Sequence, residues 1–187
     1  MIIGILALQG AVQEHEAVLS RLNAEWREIR NPSGLSGIDA LIIPGGESTV
    51  MGRYLAEYGL IQPIRRFAEA GGAVWGICAG AILLCEEADE KPGVLRLLPA
   101  SAERNAYGRQ LSSFEEDIDT PVGSFHGVFI RAPRLRAGEG TEVLARRQGP
   151  GGSEDLLIRR GKILASSFHP ELTGDDRIHR WFLDLAF

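Results

Sequence analysis

Short, near-continuous apolar runs alternate with amphipathic stretches through the first half of the chain, and the two patterns predict different elements. Residues 2–8 form the first run, of the kind shown by a strand covered on both faces. Residues 11–24 follow, with Val12, Val18, Leu19 and Leu22 at helical spacing. Residues 26–29 and 38–43 predict a second and a third strand, the latter ending at the turn Pro44-Gly45-Gly46. Ser48 or Thr49 is suited to cap the helix that follows. A helix over residues 63–70 leads through Gly71-Gly72 into a strand at 73–77, after which a further helix is expected over 79–87. Strands alternating with helices imply a parallel sheet.

From residue 94 onward the pattern changes. Residues 122–130, 141–146, 155–159 and 162–167 read as strands joined by Gly- and Pro-rich turns, which predicts a mixed or antiparallel extension of the sheet. Gly149-Pro150-Gly151-Gly152-Ser153 is expected to be a hairpin loop. The final stretch, 175–187, is helical in pattern, with Ile178, Trp181, Phe182 and Leu185 on one face. With 187 residues, 44% of them hydrophobic, and no repeat, low-complexity tract or linker, the expectation is one α/β domain spanning 1–187.

Charge narrows the choice of partners. The net charge is -5, and the pairs Arg65-Arg66, Arg146-Arg147 and Arg159-Arg160 are spread along the chain, so no nucleic acid partner is expected. The apolar run at 2–8 is too short to span a bilayer and has no basic leader, so no membrane association is expected either. Two cysteines without an export signal read as reduced thiols, and the cytoplasm is the expected compartment.

One of those cysteines lies in Gly76-Ile77-Cys78-Ala79-Gly80, directly after a predicted strand. The spacing is that of a G-x-S-x-G elbow, in which a tight strand-to-helix turn exposes a nucleophile and needs small flanking residues. Such a turn sets the sulfur at a helix N-terminus, where thiolate is favoured, and directs the Ala79 N–H toward a developing oxyanion. Taken alone, the motif fits an ordinary buried cysteine equally well. Cys85, within Ile82-Leu83-Leu84-Cys85 and without flanking glycines, reads as core. His169 follows a predicted strand, and in an extended Phe168-His169-Pro170-Glu171 the Glu171 carboxylate projects to the same side as the imidazole. There it would fix the tautomer and stabilise imidazolium while the other ring nitrogen faces Cys78. The alternative is an incidental surface ion pair. His15 and His179 lie on expected amphipathic helices, and His126 sits in a strand beside aromatics with no acid nearby in the pattern.

With Cys78 in G-x-C-x-G, His169-Pro170-Glu171 near the end and Pro44-Gly45-Gly46 after the third strand, the chain resembles class I (triad) glutamine amidotransferase domains. Four further blocks narrow the resemblance: Leu8-Gln9-Gly10-Ala11-Val12 with Glu14-His15, Pro44-Gly45-Gly46-Glu47-Ser48-Thr49, Arg104-Asn105-Ala106-Tyr107-Gly108-Arg109-Gln110, and Gly127-Val128-Phe129-Ile130-Arg131-Ala132-Pro133. They are similar to the glutaminase-subunit family of pyridoxal 5'-phosphate synthase. Tyr107, where phenylalanine is expected, and Ile77, where threonine often precedes the nucleophile, depart from that pattern without removing a catalytic atom.

The resemblance implies a flavodoxin-like α/β fold. It also implies hydrolysis of L-glutamine to glutamate and ammonia, with delivery of ammonia to a separate synthase subunit in a hetero-oligomeric complex. By that likeness Cys78 forms a glutamyl thioester, His169 is base and then acid, and Glu171 orients it. The glutamine-binding positions would be Gly46, Glu47, Ser48, Arg104, Ile130 and Arg131, with Arg104 the first candidate for the substrate carboxylate. Gly45-Gly46 would offer a second oxyanion N–H that a peptide flip completes when the synthase docks. No metal or cofactor is implied. The competing readings are a glutaminase subunit of another amidotransferase, a cysteine peptidase or γ-glutamyl hydrolase on a similar sheet, and a non-catalytic module. The last has no reason to keep Cys78, His169 and Glu171 together.

Overall fold

β1 (Ile2–Leu6) directs apolar side chains to both of its faces, which is stable only where both are covered. A computed structural model of the chain, which describes residues 1–104, 113–149 and 152–186, has this arrangement. β1 is followed by α1 (Val12–Arg21), β2 (Glu25–Ile29), a 3-10 turn at Pro32–Leu35, β3 (Ala40–Ile43), α2 (Ser48–Glu57), α3 (Ile61–Glu69) and β4 (Ala73–Ile77). β1 pairs in parallel with β2 and β3, and β3 in parallel with β4. After β4 come α4 (Ala79–Leu84), β5 (Cys85–Ala88), β6 (Lys91–Pro92), β7 (Leu98–Glu103), β8 (Ser113–Thr120), β9 (Gly123–Ile130) and β10 (Arg134–Ala137). The chain ends with β11 (Glu142–Gly149), β12 (Gly152–Arg160), β13 (Ile163–Ser166), a 3-10 turn at Pro170–Leu172 and α5 (Arg177–Ala186).

Among the described residues the main sheet runs β2-β1-β3-β4-β13-β12-β10-β7-β5-β6, with β11 on β12, and β8 and β9 form a separate antiparallel ribbon. β13 joins β4 in parallel, whereas β12 pairs antiparallel with β13, β11 and β10. The parallel half and mixed extension therefore stand as the apolar pattern predicts. The order 2-1-3-4 followed by a last parallel strand is that of flavodoxin-like sheets, whose ligands sit beyond the carboxyl ends of the strands, where the winding direction reverses. Here the reversal lies between β1 and β3.

Alternation along the strands divides the core in two. Ile3, Ile5, Ile42, Trp75 and Ile77 pack with Leu19 of α1 and Ile178 and Phe182 of α5. Leu6, Ile29, Leu41, Ile43 and Val74 pack with Met51 and Leu55 of α2, Ile64 of α3 and Leu83 of α4. The helix expected over 79–87 stops at Leu84, because Cys85 enters a strand that pairs with β7 through Cys85 and Leu98. β7, β8 and β10 do not announce themselves in the apolar pattern. β8, SFEEDIDT, is acidic and mostly solvent-facing, with Ile118 buried and Phe114 packed against the core, so pairing with β9 along its whole length more than an apolar pattern selects its extended form. Residues 105–110 of the block that begins at Arg104, Tyr107 and Arg109 included, lie outside the described residues, as do Pro150 and Gly151 of the expected hairpin loop.

Candidate active site

The turn after β4 is built by two glycines. A Cβ on Gly76 would strike the Gly80 backbone, and one on Gly80 would strike the Ile43 carbonyl on β3, so α4 lies directly against the sheet. Between them Cys78 has φ 49° and ψ -101°, a conformation that costs energy for a residue with a side chain and persists only where its surroundings impose it. The Cys78 N–H donates to the Ser166 carbonyl of β13 at 2.8 Å, which anchors the turn to the neighbouring strand. Its sulfur lies 3.9 Å from the Ile130 carbonyl oxygen. Cys85 is fully buried, and burial pushes its thiol up to about 12.

His169 leaves the end of β13 with its N–H donating to the Val128 carbonyl at 2.8 Å. Residues Pro170–Leu172 form a 3-10 turn, not the extended stretch expected from the sequence, and the carboxylate still reaches the Nδ1 edge of the ring. His169 Nδ1 lies 2.7 Å from Glu171 Oε1. Burial works against charge on this imidazole, but hydrogen bonds and charge attraction from Cys78 and Glu171 outweigh it and raise its pKa to about 10. Burial likewise opposes the Glu171 carboxylate, yet the bond from His169 holds it below its ordinary range. The three side chains expected to act together are thus brought together, with the His169 imidazole set between Cys78 and the Glu171 carboxylate.

A cavity of about 710 Å³ opens over Cys78 and His169. Gly45, Gly46, Glu47, Ser48, Ala79, Arg104, Ile130 and Arg131 all line it, whereas Glu171 is buried behind His169. The lining comes from the loops after β1, β3, β4 and β13, with β9 and β7 closing the sides. Glu47, and not Ser48 or Thr49, caps α2: its carboxylate accepts from the N–H groups of Thr49 and Val50 at 3.2 and 2.9 Å. Three cap-competent residues stand in a row, and the turn after Gly46 gives the extended backbone to the first. Ser48 becomes the first helical residue and is buried. Arg104 donates from Nε to Asp89 and from Nη1 to Thr49 Oγ1 at 2.8 Å, and burial of Asp89 is outweighed by its contacts with Arg104, which hold its carboxyl below the usual range. Arg131 adopts φ 44° where β9 ends.

Several contributors escape a reading of the sequence by itself. Gln9 Oε1 accepts from the Glu47 N–H at 2.8 Å, and the Gly45 carbonyl accepts from the Ala11 N–H at 3.0 Å, so the loops after β1 and β3 are stitched together. Gln9 stands in the Leu8-Gln9-Gly10-Ala11-Val12 block that carries the resemblance, which marks the position without giving its contact. Asp89 carries no such mark. His15 and His179 are fully buried and bonded to each other at 3.0 Å behind Glu171. His126 does have acidic partners: Asp117 and Glu115 of β8 meet its two ring nitrogens at 2.9 Å each, a pairing made by the ribbon's register and invisible from local sequence.

The model of the SNO glutamine amidotransferase family matches residues 5–186. The chain belongs to this family. It is 54% identical over 190 residues to a pyridoxal 5'-phosphate synthase subunit PdxT of Thermus thermophilus, covering 99% of this chain and 97% of that protein. The subunit of the same name from Deinococcus radiodurans is 47% identical over 196 residues, covering 100% and 97% respectively. A crystal structure of a glutamine amidotransferase, 52% identical, superposes with a TM-score of 0.92 over 100% of this chain and 99% of the other. PurLQS from Thermotoga maritima, at 15% identity, has the same fold with a TM-score of 0.74 over 98% of this chain and 97% of that one. The fold is thus that of the class I glutamine amidotransferases.

Proposed function

We propose that this chain is a glutaminase subunit that hydrolyses L-glutamine and passes the ammonia to a separate pyridoxal 5'-phosphate synthase subunit. The observation that carries the reading is the series Cys78, His169, Glu171, the first two at the cavity and the third buried behind His169. Family membership and relatives named as synthase subunits support the partner. One domain over 1–187 and a cytoplasmic location go with this reading; among the described residues no helix is long and apolar enough to cross a membrane.

The thiolate of Cys78 attacks the side-chain amide carbon of glutamine, and the carbonyl electron pair moves to oxygen. That oxyanion is met by the Ala79 N–H and by an N–H from the Gly45-Gly46 segment. Imidazolium at His169 gives its proton to the amide nitrogen, the C–N bond breaks, and ammonia leaves a glutamyl thioester. Neutral His169 then takes a proton from water, whose oxygen adds to the thioester carbon; the C–S bond breaks, glutamate departs, and thiolate and imidazolium are restored. Glu171 keeps the imidazole proton on Nδ1, so that Nε2 faces the sulfur and the leaving group.

Gly46, Glu47, Ser48, Ile130 and Arg131 hold the amino acid. Arg104 meets its carboxylate from the guanidinium edge that Asp89 and Thr49 leave open. The Gly45 oxygen is tied to Ala11, so a flip that completes the oxyanion hole when the synthase docks must break that 3.0 Å bond. Equal glutamine turnover by the isolated subunit and the complex would remove this part of the proposal. The central test treats the chain with a diazo-ketone analogue of glutamine, with and without the synthase, and maps adducts by mass spectrometry. Labelling is expected at Cys78 and not Cys85, faster with the synthase; labelling at Cys85, or none in the complex, would refute the assignment.

A further inference from the structure

The mechanism leaves two fully buried histidines unused. His15 of α1 and His179 of α5 meet through Nδ1 and Nε2 at 3.0 Å, packed edge-on against Trp75, and His15 Nε2 lies 3.9 Å from Glu171 Oε2. Glu171 Oε2, His15 Nε2 and His179 Nδ1 are each buried without a hydrogen-bond partner. Burial drives the pKa values of both histidines down to about 3, so the pair is neutral at pH 7 and the 3.9 Å contact is not an ion pair.

A neutral pair shares one proton across its contact, which leaves two arrangements. If His15 donates from Nδ1, its Nε2 turns a lone pair on the carboxylate oxygen and His179 Nδ1 carries a buried N–H with no acceptor. If His179 donates from Nε2, His15 carries its proton on Nε2, aimed at Glu171 Oε2, and only a lone pair on His179 stays unmatched. The second arrangement replaces a repulsion with a charge–dipole attraction and avoids an orphaned donor, which is the costlier defect. The 3.9 Å separation exceeds a hydrogen bond, and a shift of less than about 1 Å closes it, as catalytic contacts commonly do when substrate binds.

We propose that His15, with its tautomer set by His179, is a positioning residue of the glutaminase: its Nε2–H engages the second oxygen of Glu171 and keeps the first turned toward His169. The proton-bearing series therefore runs from His179 through His15 to Glu171, with His169 donating from the opposite side. This inference rests on the glutaminase reading only for its effect on turnover.

The groups facing the pair are Glu171 and His169 from the segment after β13 and Arg21 of α1, which is itself paired with Asp176 at 2.6 Å. Losing the His15 donor frees the Glu171 rotamer and makes its carboxylate easier to protonate, so the acid limb of Cys78 reactivity moves to higher pH.

Three measurements on the full chain test this. In histidine 15N NMR of the unmodified protein, His15 and His179 are expected as Nε2–H tautomers; an Nδ1–H tautomer at His15 overturns the proposal even where variants do not fold. In His15→Leu, the pH profile of Cys78 alkylation by iodoacetamide is expected to shift its acid limb upward, with His15→Gln, which keeps a donor, restoring it; superimposable profiles overturn the proposal. With the synthase present, His15→Leu is expected to lose roughly tenfold or more in kcat at little changed KM. If the unmodified complex turns over no glutamine, the glutaminase reading fails while the NMR and alkylation outcomes still judge the role of His15.

Discussion

His169 governs how pH acts on the site. Its pKa rises from 6.5 to about 10 on folding, so the stabilisation it brings is fully present below pH 6.5 and is lost as pH climbs toward 10. The Glu171 carboxyl is held below its ordinary value, so the same contact is also lost in acid, as pH falls through that lowered pKa. Glu171→Gln is therefore expected to lower Tm most near pH 6 and progressively less toward pH 10, where unmodified His169 also loses its proton. Thermal melts across that range check this, and a difference independent of pH would contradict the charged contact. Cys78, His169 and Glu171 were legible as a set because flanking glycines and a two-residue spacing are local marks. His15 and His179 were not, because they are 164 positions apart and each looks like an ordinary helical residue until the two helices pack on one face of the sheet.

Elements are decided by their ends. Three residues in succession, Glu47, Ser48 and Thr49, can accept from helix N–H groups, and only the backbone angles after Gly46 select Glu47. Glu47→Ala is expected to lower the unfolding free energy by about 1 kcal/mol, measured by urea denaturation, with Glu47→Asp recovering part of it. An unchanged midpoint would show that water replaces the cap at no cost. α4 carries a similar lesson. Its apolar run continues through Cys85, but parallel pairing with β7 takes the backbone at that point, so the strand ladder ends the helix. Gly80→Ala should cost about 1–3 kcal/mol through overpacking against the Ile43 carbonyl. It should also slow Cys78 alkylation, because the displaced turn carries the sulfur. Normal reactivity in that variant would separate the turn from the site.

At the scale of the whole molecule, the β8–β9 ribbon brings Ile130 and Arg131 to the cavity without joining the main sheet. Arg147 of β11 ties it down, bonding Glu116 of the ribbon at 2.6 Å and buried Glu154 of β12 at 2.8 Å while its guanidinium covers Phe114. Glu154 keeps a longer contact with Arg134 at 3.3 Å, so Arg147→Ala removes charged hydrogen bonds without stranding the carboxylate and is expected to cost about 2 kcal/mol. It should also raise KM for glutamine and speed proteolysis within the ribbon, both measurable on the same preparation. If KM and cleavage were unchanged, the ribbon would be held by its aromatic contacts alone.

Local sequence suffices for the parallel half of the sheet, for the elbow and for singling out Cys78, His169 and Glu171 as a set. Periodicity, glycine spacing and strand ends are local properties that need no knowledge of distant contacts. Only the tertiary structure decided that Glu47 caps α2, that Asp89 holds Arg104, that His126 pairs across a ribbon, and that His15 and His179 stand behind Glu171. Each of these depends on burial and on strand register, which exist only once segments far apart in the chain are brought together.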